Sequence, residues 1–339
     1  MLRGSRKRKS GASVSSMFQP APKSNVTSIA QAECTFRNET LFLTTFTAPS
    51  NWFHLAYHAI PSSEFFHRLL AEEYQGVVTV LPMLLPFKDR EVHFPLAEID
   101  SSAQSWRPYN LLLWSLGPIH VHKFRADIAE LLKSPCTCFP RAYGGHSKFE
   151  PSPKKGIRLE SPPPSALIPR FQNFQSRVAL NMGIANLTIQ NRVLLVLRNG
   201  TRKFMNEKET ITEVKKTLSS TSFFCQPVRF EKMSLEEQVK LVMTSRILIG
   251  YHGQGLAWTS MLRTALKPCA TIELFAASLT LPNDYRDFSS ANNVTYFSSP
   301  HAKYFQHCRD LRACGDIWVD TKSLAAILIR AVSEITTAA

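Results

Sequence analysis

The apolar run VLLVL at residues 193–197 constrains the fold more than any other feature of the chain. It is continuous rather than alternating, the pattern of a strand buried on both faces, and such strands belong to parallel sheets whose two sides are covered by helices. Segments of the same character return at 227–230 (PVRF), 246–250 (RILIG) and 270–275 (ATIELF). Between them the spacing predicts helices over 206–218, over 234–244, where Ser234 and Glu237 stand at the spacing of a capping box, and over the segment LAWTSML after Gly255. Strand and helix in alternation specify a doubly wound α/β sheet, in which ligands sit beyond the carboxyl ends of the strands. Arg198, Arg202, His252 and Glu273 all fall there.

The first half alternates less regularly. Residues 36–53 are aromatic and β-branched and read as one or two strands; 76–81 (GVVTVL) is a buried-strand candidate, and CTCFPRAYGG reads as a strand running into a glycine turn. A helix is expected to open at Asn51-Trp52-Phe53-His54-Leu55 and to continue, with Pro61-Ser62-Ser63-Glu64 as a cap, into FFHRLLAEEY (65–74), and another is expected over 124–133. Residues 148–170 contain six prolines and read as a loop, followed by a helix over 171–182. The expected organisation is a disordered basic tail (1–30), a first α/β domain (31–185), a second (190–300) and an extension with a closing helix (301–339).

With 339 residues and 44% hydrophobic content, the chain is long enough for two domains with cores. Its 40 Lys+Arg against 26 Asp+Glu leave a charge of +14, suited to a polyanionic partner or a phosphorylated ligand. Part of that excess is the cluster Arg3, Arg6, Lys7, Arg8 and Lys9. No apolar run approaches the roughly 20 residues of a bilayer span, and the basic start leads into no apolar signal core, so neither anchor nor signal is visible. Five Asn-x-Ser/Thr sequons, at Asn25, Asn38, Asn186, Asn199 and Asn293, have meaning only in a lumenal protein. The seven cysteines fit no zinc spacing.

The loop His252-Gly253-Gln254-Gly255 joins a strand to a helix, where glycines and helix-end N–H groups suit phosphate oxygens; such turns also serve packing alone. Arg198 and Arg202 have the geometry to pair with a pyrophosphate, or they are solvated loop cations. Glu273 is placed to accept from two ribose hydroxyls, or it ends its strand in a salt bridge.

Taken together, VLLVLRNGTRKFMNE, RFEKMSLEEQVKLVMTSRILIGYHGQGLAWTSML, ATIELF and NNVTYF resemble, in order and spacing, the C-terminal half of glycosyltransferase family 61, which includes xylosyl- and N-acetylglucosaminyltransferases. More loosely, NWFHLAYH and CFPRAYGG resemble segments of its first half. One departure is Gln254, where that family has a small alanine. The resemblance implies a GT-B-like arrangement, two Rossmann-like domains with a donor cleft between them. It implies an inverting transfer of xylose or N-acetylglucosamine from a UDP-sugar to a glycan or glycoprotein acceptor in the endoplasmic reticulum or Golgi lumen. Donor-binding residues would be Arg198, Arg202, His252, Gly253, Gly255 and Glu273. His54 is the expected general base, with a structural histidine between aromatic neighbours as the other reading. Glu207 is a second candidate base or a residue orienting Arg198 or Arg202. The sequence contains no Asp-x-Asp pair, so no obligatory metal and no cofactor are expected. A basic nucleic-acid-binding protein is the rival from another class, without a recognised nucleic-acid module; a family member that keeps the fold without turnover is the third reading.

Overall fold

The structure is a computed structural model that describes residues 164–200, 202–276, 284–302 and 315–338, together with five strands of the first half. Those strands are β1 (Cys34–Phe36), β2 (Thr40–Phe46), β3 (Val78–Leu84), β4 (Cys136–Cys138) and β5 (Arg141–Gly145). All pair in parallel, β1 with β4 and β2 with both β3 and β5. The segment expected to be one strand before a glycine turn is thus two, in two different sheets. His54 and the helices expected between residues 51 and 133 lie outside the described residues.

From residue 164 onward the order is α1 (Pro164–Asn181), β6 (Arg192–Val196), α2 (Glu207–Leu218), β7 (Phe224–Val228), α3 (Leu235–Met243), β8 (Ile247–Tyr251), β9 (Ala270–Ala276), α4 (Asp284–Ala291), β10 (Thr295–Ala302) and α5 (Thr321–Thr337). The five strands form one parallel sheet in the order β10-β9-β8-β6-β7. The order in which strands are added reverses between β6 and β8, and that is the sheet's switch point.

The continuous apolar runs are explained by what covers each face. Val193, Leu195 and Leu197 point to one side and pack with Val214 and Leu218 of α2 and Leu324, Leu328 and Ala331 of α5. Leu194 and Val196 point to the other, into a core with Phe171, Phe174 and Val178 of α1, Val239 and Val242 of α3 and Phe288 of α4. Both faces are buried, so neither set of alternate residues needs to be polar.

Three expectations are corrected here. The proline-rich loop was expected to reach residue 170, but α1 begins at Pro164. A proline fits the first helical position, where its missing N–H would have no partner, and Pro169 costs the helix only an early bond, while Leu167 and Phe171 anchor that turn in the core. The strand expected at 227–230 ends at Val228 and is followed by a 3₁₀ turn, Phe230–Lys232. The helix after Gly255 is a 3₁₀ helix, Gln254–Met261. Its Ser260 hydroxyl bonds back to the Ala257 carbonyl, and its Thr259 hydroxyl bonds to that of Thr271 on β9, tying the short helix to the sheet. The capping box is present as expected: Glu237 N–H donates to Ser234 Oγ, and Ser234 N–H to the Glu237 carboxylate.

At the amino end of the sheet, Arg246 donates to the carbonyls of Pro268 and Ile335 and to Asn191 Oδ1. Its charge meets the last turn of α5, where carbonyls lack helical partners. Cys225 and Cys269 are free thiols, pushed up to about 11 and about 12 by burial.

Candidate functional site

The residues singled out from sequence gather at the carboxyl end of the sheet, around the switch point. Arg198 lies two residues beyond β6, Arg202 follows on the same loop, and His252 follows β8 directly. Arg202 has φ 64° and donates from Nη1 to the His252 carbonyl at 3.1 Å, so the two loops are tied across the switch point.

Gly253 marks where the cations converge. A Cβ there would lie 2.8 Å from Arg202 Nη1 and 2.9 Å from Arg198 Nη1, and its backbone has φ 147° and ψ −173°, a conformation essentially reserved to glycine. The missing side chain therefore leaves room for two guanidinium groups to reach one spot. Burial and then the neighbouring Arg202 pull the Arg198 guanidinium below its ordinary pKa, while Glu231, Tyr285 and Tyr251 act in the opposite sense. Two like charges held this close repel, and an anion between them removes that repulsion. Gly255 has a different function. A Cβ on it would meet Val196 Cγ1 at 3.0 Å, so it lets the 3₁₀ helix lie against β6.

His252 is buried and donates from Nδ1 to Glu273 Oε1, and the Tyr296 hydroxyl donates to Glu273 Oε2. Glu273 is fully enclosed, with both oxygens engaged by protein donors. In place of the expected ribose hydroxyls, it holds the imidazole of His252 through Nδ1 and so fixes the ring's orientation. Burial first, and the Glu273 carboxylate second, push the Tyr296 hydroxyl well above its ordinary pKa, so it remains a donor. Tyr285 of α4 packs edge-on against the imidazole, with ring centroids 5.1 Å apart.

Glu207, the first residue of α2, takes both of its hydrogen bonds from Arg229 Nη2, at 2.6 and 2.7 Å, rather than from Arg198 or Arg202. Asn206, beside it, bonds reciprocally with the backbone of Val319, fixing the end of the arginine loop to the segment that leads into α5.

Sequence reasoning missed Tyr285, Tyr296 and Arg229. Tyr296 had a readable cue: it pairs with Thr271, on the same face as Glu273 two residues on, within diagonal reach across parallel strands. Tyr285 sits on a helix that polar spacing did not disclose, and Arg229 looked like one basic residue among many.

Among the described residues, no cluster of His, Cys, Asp or Glu could hold a metal ion, and no helix is long and apolar enough to cross a membrane. No curated protein matches the chain. The family profile described as Glycosyltransferase 61 matches residues 46–267, well over half of the 339, spanning both arginines and His252. A parallel α/β sheet with a cationic switch point agrees with that match, and the chain belongs to glycosyltransferase family 61.

Proposed function

We propose that this glycosyltransferase is an inverting enzyme that uses a UDP-sugar, carrying xylose or N-acetylglucosamine, and glycosylates a glycan or glycoprotein in the lumen of the endoplasmic reticulum or Golgi. The observation that carries the donor reading is the convergence of Arg198 and Arg202 on the space beside Gly253. Transfer from a nucleotide diphosphate sugar breaks the bond between the anomeric carbon and the β-phosphate oxygen, and negative charge grows on the departing diphosphate. Fixed cations placed where that charge develops stabilise the transition state without rearrangement. Arg198 and Arg202 fill this role, and Arg202 is preset by its bond to the His252 carbonyl.

On the other side of the reaction, the acceptor hydroxyl oxygen attacks the anomeric carbon as its proton passes to a base within hydrogen-bond reach. We assign that base to His54, by its resemblance to the family's aromatic-His segment. The reading places the nucleotide on the second domain of a GT-B-like pair. Parallel strands in both halves support it.

The test is thermal stabilisation by UDP, GDP and CMP. UDP at 100 times its dissociation constant should add about 2.7 kcal/mol of stability, a clear rise in melting temperature, with smaller rises from the other two. No stabilisation by any of them at millimolar concentration would sink the donor reading. EDTA treatment should leave the UDP shift in place.

A further inference from the structure

We infer that Arg229, at the end of β7, is a positioning residue that braces the loop carrying Arg198 and Arg202 into its cation-converging shape. The donor readout below rests on the proposed function; the loop readout does not. One guanidinium joins the two ends of this loop. Its Nε donates to Asn199 Oδ1 at 2.8 Å, beside Arg198, and its Nη2 donates to both Glu207 oxygens, at the first turn of α2. The corner after β7 holds the loop a second time, since Asn199 N–H donates to Glu231 Oε1 at 2.9 Å.

The loop needs such a brace. It contains Gly200, which has no atoms within 4 Å of where a side chain would begin, and Arg202, whose φ of 64° is unfavourable for an arginine. Left to itself the segment would relax Arg202 out of that backbone and move its guanidinium away from Gly253. On its far side the loop is fixed by Lys203 N–H to Asp316 and by Asn206 to Val319. On its near side Asn199 is held twice, its Oδ1 accepting from Arg229 and its N–H donating to Glu231. A lysine cannot replace this arginine, because the two partners are reached from different nitrogens of a rigid planar fork.

The test compares the full chain with Arg229→Met and Arg229→Lys, by hydrogen exchange of peptides covering residues 198–206 and by UDP titration. Arg229→Met should raise exchange over 198–206 at least tenfold while β9 and α5 keep their protection, and should weaken UDP binding roughly tenfold. Arg229→Lys should keep the charge and still show most of both effects. Combining Arg229→Met with Arg202→Ala should cost less UDP affinity than the two separate losses predict, because both act through one guanidinium. Unchanged exchange over 198–206 in a folded Arg229→Met protein overturns the inference. So does a general rise in exchange with a lowered melting temperature and full UDP affinity, the mark of a merely structural ion pair. Wild-type protein that binds no UDP overturns the proposed function, and the exchange comparison still decides on Arg229.

Discussion

Arg202 occupies a left-handed backbone that costs an L-residue about 1–2 kcal/mol relative to its usual conformation. Strain of this kind persists where surrounding contacts over-determine it, and here they do: its guanidinium is held by the His252 carbonyl, and Lys203 next to it by Asp316. Arg202→Ala should weaken UDP binding about ten- to a hundredfold, the loss expected when one charge-assisted hydrogen bond worth about 1.5–3 kcal/mol disappears. Arg202→Gly separates strain from function. It should bind UDP as poorly as the alanine variant while melting at an equal or higher temperature. Isothermal titration and a melting curve on both variants check this, and wild-type UDP affinity in either would mean that the arginine points away from the donor.

At the scale of elements, the strand-to-turn junction after β8 depends on Gly253. Gly253→Ala places a methyl group where two guanidinium groups now converge, in a backbone conformation whose cost for a side chain is about 1–3 kcal/mol. A lowered melting temperature together with lost UDP stabilisation is expected; a variant that keeps full UDP affinity would show that the cations do not meet a ligand there. Strands β6, β8 and β9 were legible in the sequence because burial on both faces demands unbroken apolar runs, and α3 because its cap is written in Ser234 and Glu237. The 3₁₀ geometry after Gly253 was not, since an apolar run such as LAWTSML reads alike for a 3₁₀ and an α-helix. The convergence of Arg198, Arg202 and His252 followed from topology, which places the ends of β6 and β8 side by side. The partner of Glu273 did not, because whether a strand-end carboxylate faces a ligand or a histidine depends on depth, and Glu273 is fully enclosed.

On the scale of the whole molecule, the two ends of the large sheet differ in purpose. The amino end closes on itself, with Arg246 meeting protein carbonyls, while the carboxyl end gathers cations around a glycine. The three sequon asparagines among the described residues divide along the same line. Asn186 and Asn293 are exposed in turns that precede β6 and β10, at the amino end, whereas Asn199 lies in the arginine loop with its Oδ1 accepting from Arg229. If the enzyme resides in the lumen as proposed, glycopeptide mass spectrometry of protein from its native source should find glycans on Asn186 and Asn293 and none on Asn199. Unmodified asparagine at all five sequons would remove the lumenal assignment.

The arginine loop also depends on residues far along the chain: Asp316 accepts from Lys203 N–H, Ile317 bonds with the backbone of Lys203 and Met205, and Val319 clasps Asn206. The family match stops at residue 267, before any of them. The scaffold of the arginine loop therefore extends beyond the matched stretch. A protein trimmed to the matched stretch would retain both arginines and the histidine yet lose the scaffold that gives them their arrangement.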